Sequence, residues 1–126
     1  MKFFIVITAS LLCFLNFSLG AKTKEKSVTC DGLILQKVKV ALGRVTMINF
    51  PVKPKDVVAG SSLFDFKQIK DDLAIKALRS NGRTNVFVYM QERRCGFDLV
   101  TVSSGGDDIV YVRDPKELQM EVKAYE

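Results

Sequence analysis

Chemistry in this chain is bounded first by a residue type it lacks: none of the 126 residues is histidine. Histidine is the commonest general base and the usual activator of a serine or cysteine nucleophile. Ser-His and Cys-His catalysis are therefore excluded. Two acidic pairs, Asp71-Asp72 and Asp107-Asp108, hold the carboxylates that a hard cation would need. Each lies in a run of turn-forming residues, where aspartate is favoured because its side chain bonds the local backbone, and the turn is the simpler reading. Gly105-Gly106 has neither the spacing nor the following lysine of a phosphate loop. The cysteines lack the paired spacing of a metal site, so no metal and no cofactor is expected. What remains is binding. Arg93-Arg94 sits at a predicted hairpin tip, either as a grip for an acidic partner or as a solubility feature.

The elements that must carry these residues read as β-strands. In Asn81–Val102, Asn81-Gly82 is a turn dipeptide, because glycine accepts positive φ and asparagine tolerates it. The β-branched and aromatic run Asn85–Met90 follows, then a polar break at Gln91–Arg94, then a second strand from Cys95 to Val102. So short a break makes the two strands antiparallel neighbours.

Upstream, Ser27–Cys30 reads as a short strand ended by Asp31-Gly32. Leu35–Leu42 alternates, with Val38, Val40 and Leu42 opposite Lys37 and Lys39. Gly43-Arg44 breaks it before Val45–Phe50, and so short a break predicts a hairpin. Pro51–Asp56 is an extended connection, since its prolines cannot donate ladder bonds. Val57–Ala59 and Leu63–Ile69 are further strands, the latter with Phe64 and Phe66 on one face. Residues 71–78 hold helix formers after an acidic start, yet close-set turn signals favour a strand. A flexible turn over Ser103–Asp108 precedes a last strand at Ile109–Val112. About seven or eight short strands predict an all-β domain, an antiparallel β-sandwich or small open barrel.

Both ends differ from this middle. Residues 1–20 have a charged start, an apolar run over Phe3–Leu15 and small residues at Ser18 and Gly20, the pattern of a cleaved secretory signal. The run is short for a membrane-spanning helix, and Leu12 before Cys13 disfavours lipidation of that cysteine. Residues 21–26, with Lys22, Lys24 and Lys26, read as a flexible basic leader. The β-domain then spans 27–113. In the tail, 114–126, Asp114, Pro115 and Glu117 form a helix-start signature, with Leu118, Val122 and Tyr125 on one side. That helix would cover the β-domain or dock a partner, and a frayed end is the third reading.

Export would leave Cys30 and Cys95, which outside a reducing cytosol most often pair. Closing so long a loop stabilises by about 4 kcal/mol on the chain-entropy model. Two free thiols, or a bond to another chain, are the alternatives. The net charge of +5 is spread among acidic residues without a basic, aromatic-studded stripe, so no nucleic-acid partner is expected.

The order of pieces resembles the N-terminal domain of the type IV secretion outer-membrane core-complex protein, the VirB/CagX/TraK-like group. The residues that carry it are Gly43-Arg-Val-Thr-Met-Ile-Asn-Phe-Pro51, Val57-Val-Ala-Gly60, Asp72-Leu-Ala-Ile-Lys-Ala77, Thr84-Asn-Val-Phe-Val88 and Phe97-Asp-Leu99. Gly82-Arg-Thr-Asn85 is also similar to the N-terminal domain of pilus-type secretins. The resemblance implies a non-enzymatic periplasmic scaffold, here in a single-domain version, whose partners are other secretion or pilus subunits or further copies of itself. It implies no small-molecule substrate and no catalytic residue. A free-standing secreted binding module, such as an adhesin or inhibitor, is the alternative.

Overall fold

The computed structural model describes residues 22–30 and 33–114. Nine strands follow one another: β1 Glu25–Thr29, β2 Gln36–Ala41, β3 Val45–Asn49, β4 Asp56–Ala59, β5 Phe64–Ile69, β6 Asp72–Ala77, β7 Arg83–Tyr89, β8 Arg94–Val102 and β9 Ile109–Arg113. They form a β-sandwich of two open sheets, ordered β1-β9-β3-β6-β5 and β2-β8-β7-β4. Among the described residues there is no helix. The helix-start residues after Asp114, with Leu118, Val122 and Tyr125, lie outside the described residues, as do residues 1–20.

The expected antiparallel sheets are in fact mixed. β1 pairs with β9, β9 with β3, and β2 with β8, all in parallel. The cause is topological. Every connection reverses the chain, so odd-numbered strands run one way and even-numbered strands the other. Only β5-β6 and β7-β8 are consecutive neighbours in a sheet; the other connections cross between sheets. Wherever two odd or two even strands then meet, the pair is parallel.

The predicted hairpin at Gly43-Arg44 is one of those crossings. β2 and β3 belong to different sheets, and the turn closes through Arg44 N–H on Ala41 C=O at 3.1 Å with Gly43 at φ 81°. The positive φ explains the glycine. Alternation told which face of each strand is apolar but not which strand lies beside it. Placing β2 and β3 in opposite sheets lets Val38 and Val40 join Ile48 and Phe50 in one core. Leu42, expected inward, lies in the turn and is exposed, while Ala41 is buried in its place.

The core runs between the sheets: Val38, Val40, Ile48, Leu73, Ile75, Val86, Val88, Leu99 and Val110 are essentially sealed from solvent. Each such side chain contributes about 1.5–3 kcal/mol by leaving water. Phe50 and Phe97 meet edge to face across it, with centroids 5.9 Å apart and planes at 84°, the geometry that the ring quadrupole favours. The β7–β8 hairpin forms as predicted, antiparallel from Arg83↔Val100 to Tyr89↔Arg94. Residues 72–77 are a strand, with Leu73, Ile75 and Ala77 buried, because tertiary pairing on both sides outweighs their helix propensity.

Candidate partner-binding surface

Cys30 and Cys95 are joined in a disulfide, with Cα atoms 5.2 Å apart. The bridge ties the end of β1 in one sheet to the second residue of β8 in the other. Near it, Gln36 Nε2 donates to the Thr29 carbonyl at 3.2 Å. Further down the same flank, Lys26 Nζ donates to the Lys37 carbonyl and pairs with Asp107 at 3.0 Å. The basic leader is therefore not loose at this point. β1 begins at Glu25, and Lys24 and Lys26 are drawn in by carboxylates far along the chain.

Those carboxylates are Asp107 and Asp108, the pair that sequence placed in a flexible turn. Asp107 is buried and imitates a β-strand neighbour. Its backbone N–H donates to the Lys39 carbonyl at 2.7 Å, and its carboxylate accepts the Lys39 N–H at 2.9 Å. Its own carbonyl accepts from Thr46 Oγ1 at 2.6 Å. The Leu42 N–H bonds Val102 C=O, so the even-numbered residues of β2 face β8 and Lys37 and Lys39 direct their backbone outward. Lys26 occupies the Lys37 carbonyl and Asp107 both backbone groups of Lys39, and the sheet stops there. Gly106 permits this approach, since a Cβ at that position would lie 2.6 Å from the Ala41 nitrogen. Asp108 accepts the Lys24 N–H at 2.8 Å and pairs with Arg44 at 3.1 Å. Its carboxyl is held below the usual carboxylate value, first by that N–H and then by the Arg44 guanidinium.

The opposite flank is built differently. Its edge strands are β4 and β5, and among the described residues one side-chain hydrogen bond spans it, Gln68 Nε2 to the Pro54 carbonyl at 2.7 Å. On β5, Leu78 N–H bonds Leu63 C=O, so Asp65 and Lys67 face β6 while Phe64, Phe66 and Gln68 direct their backbone outward. Phe64 is buried; from Asp65 to Ile69 the edge is half-buried or exposed. The Phe66 N–H is occupied by the adjacent Asp65 carboxylate at 3.1 Å.

This edge runs into a groove of about 870 Å³ at one end of the sandwich, lined by Val52, Lys53, Pro54, Lys55, Gln68, Lys70 and Gln91. Three connections converge there: the β3–β4 link, the β5–β6 turn and the β7–β8 turn. Asp56 and Asp71 follow Lys55 and Lys70 in sequence, yet none of the three groove lysines forms an ion pair among the described residues. Lys70 is also held at φ 54°, in the left-handed region. That conformation costs a residue with a Cβ roughly 1 kcal/mol.

The arginines proposed from sequence are at the same end but do not form one exposed pair. Arg93 is half-buried and bonds Asp114 Oδ2 at 2.5 Å. Arg94 is exposed and lies over the Phe87 ring, 5.4 Å from its centroid. The structure does not bring together Arg94 and the groove lysines as one site. Sequence reading passed over Lys53 and Lys55 because Pro51 and Pro54 marked only a connection, and over Lys70 because it lay in a turn. Their convergence depends on strand order.

Gly82-Arg-Thr-Asn85 has structural work in the opposite pole. The Gly82 carbonyl accepts the Thr101 N–H at 2.8 Å, the Asn85 carbonyl accepts the Gly60 N–H at 2.9 Å, and Arg83 grips Asp98 with two bonds at 3.2 and 2.7 Å. No protein-family model matches this chain, and no curated protein matches it.

Proposed function

We propose that this chain is a non-enzymatic assembly subunit of the bacterial cell envelope, exported to the periplasm and working in a type IV secretion or conjugation machine. The observation that carries this reading is the unequal treatment of sheet edges. One flank is closed by a disulfide and by side chains that occupy outward backbone groups. The other keeps part of an edge strand open beside lysines that form no ion pair among the described residues. An open edge offers aligned N–H and C=O groups to a second chain. The disulfide accords with an oxidising compartment. The strand order of motifs from Gly43 to Leu99 supports the choice of machine through the resemblance it carries.

The test is affinity capture of the full-length chain from its native envelope under non-reducing conditions. Secretion or pilus subunits are expected to co-purify with the membrane-associated fraction. Recovery of the chain from culture medium without such subunits would overturn the reading and favour a free-standing secreted binding module.

A further inference from the structure

We propose that the open β5 edge and the lysine groove form one receptor for an extended, acidic peptide segment of a partner protein. The segment lies along Asp65–Ile69 and places carboxylates on Lys53, Lys55 and Lys70. This deepens the assembly reading by naming the partner's chemistry, and rests on that reading only in taking the partner to be a protein.

Two independent features select this occupant. The first is electrostatic. Three lysines line one groove without an ion pair among the described residues, on a chain of net charge +5. Their mutual repulsion favours an incoming anion, and the concave wall concentrates their field. The second is directional. Phe66 and Gln68 turn backbone groups outward on the strand that leads into the groove, and Gln68 lines both. A free phosphate or a polyphosphate satisfies the lysines but leaves those N–H and C=O groups unused. A peptide backbone pairs with them and sets its alternate side chains toward the groove. Gln91 supplies an amide suited to a main chain, the Gln68 Nε2 being held by the Pro54 carbonyl, and exposed Val52 offers a small apolar contact.

The Asp65 carboxylate sits on the Phe66 N–H, so an entering strand must displace it. That same displacement moves a negative charge away from the acidic peptide's path. The bond is exposed and joins adjacent residues, so its loss is easily offset.

The test uses fluorescein-labelled heptapeptides, Glu-Val-Glu-Val-Glu-Val-Glu and its lysine counterpart, with the oxidised full chain and fluorescence anisotropy as readout. The acidic peptide is expected to bind and the basic one not. Lys53→Glu/Lys55→Glu/Lys70→Asn should weaken binding by at least about tenfold, which corresponds to about 1.4 kcal/mol. Asparagine is used at position 70 because it accepts positive φ. Backbone N-methylation of the acidic peptide should weaken binding comparably, and amide shifts should centre on Phe66, Gln68, Lys70 and Gln91. Equal binding of both peptides, an unchanged triple variant, or shifts centred on Lys24 and Arg44 would overturn the receptor. So would insensitivity to N-methylation with full competition by inorganic phosphate, which marks a general anion site. Circular dichroism of the variant confirms that these exposed positions leave the fold intact. Failure here leaves the envelope capture experiment standing, and failure there leaves the peptide affinity standing, so the two readings fall separately.

Discussion

The two flanks of the sandwich solve the same problem in opposite ways. At β1 and β2, the edge is occupied by Cys30–Cys95, by Lys26 on the Lys37 carbonyl, and by Asp107 on both backbone groups of Lys39. At β4 and β5, one amide side chain bridges the gap and the strand beyond Phe64 is left uncovered. Unprotected edges invite uncontrolled pairing, which is why stable sheets cover them. A fold that spends a disulfide and a buried carboxylate on one flank, and so little on the other, has its stability and its availability on different sides.

The largest effect should come from the disulfide. Cys30→Ala/Cys95→Ala releases a crosslink spanning 65 residues of sequence, expected to cost about 4 kcal/mol on the chain-entropy model. Denaturant midpoints of the oxidised protein and the variant measure it. If the closed flank is the stabilising one, hydrogen exchange should rise there first, at the bonded amides of Lys39 and Asp107, while the β7–β8 ladder stays protected. A loss below about 1 kcal/mol would equalise the flanks and break the comparison.

Asp107 comes next. Asp107→Ala removes the acceptor for the Lys39 N–H and leaves half-buried Lys26 without its carboxylate. Leaving the Lys39 N–H without its acceptor costs about 1–3 kcal/mol, and the partly exposed ion pair adds less. Lys26→Met beside it makes a double-mutant cycle, and a coupling near zero would show that the backbone contacts alone hold the loop.

Asp108 adds an acid dependence to the same flank. Its folded carboxyl titrates below the ordinary carboxylate value, because the Lys24 N–H and then Arg44 favour the charged form. A depressed folded value means the contribution is whole above the unfolded pKa, about 4, and is lost as pH falls through the folded value. Asp108→Asn should therefore flatten the acid limb of the stability curve below about pH 4 while keeping an acceptor for the Lys24 N–H. An unaltered acid limb would remove Asp108 from the account.

How much of this was legible beforehand follows from the range of the forces involved. Strand positions came through because alternation and turn residues are local signals: the hairpin around Gln91–Arg94 and the strand within 71–78 are short-range facts. The Cys30–Cys95 bond was one of three readings that the two remaining cysteines left open, and only the 5.2 Å approach of their Cα atoms chooses it. Sheet membership was not legible, because Gly43 permits a turn within a sheet or across the core equally well. Asp107 was misread for the same reason. Nothing near it in sequence reveals that Lys26 and Lys39 will arrive beside it. The groove lysines were the least legible, since each belongs to a connection and only the order β6-β5 beside β7-β4 gathers them.

The smallest predicted effect is the one that bears most directly on the open flank. Gln68→Ala removes the hydrogen bond to the Pro54 carbonyl and little else, for Gln68 is exposed. The net cost of such a bond is about 0.5–1 kcal/mol. Its local consequence should exceed its global one. Without the bridge, the 51–55 connection loses its tie to β5, and exchange at the Lys55 amide, bonded to the Tyr89 carbonyl, should rise while the Lys39 amide keeps its protection. If exchange rises equally on both flanks, Gln68 acts through overall stability and the flanks are one cooperative unit. If it rises only at the groove, the bridge is a local latch, and the edge behind it opens without disturbing the stitched side.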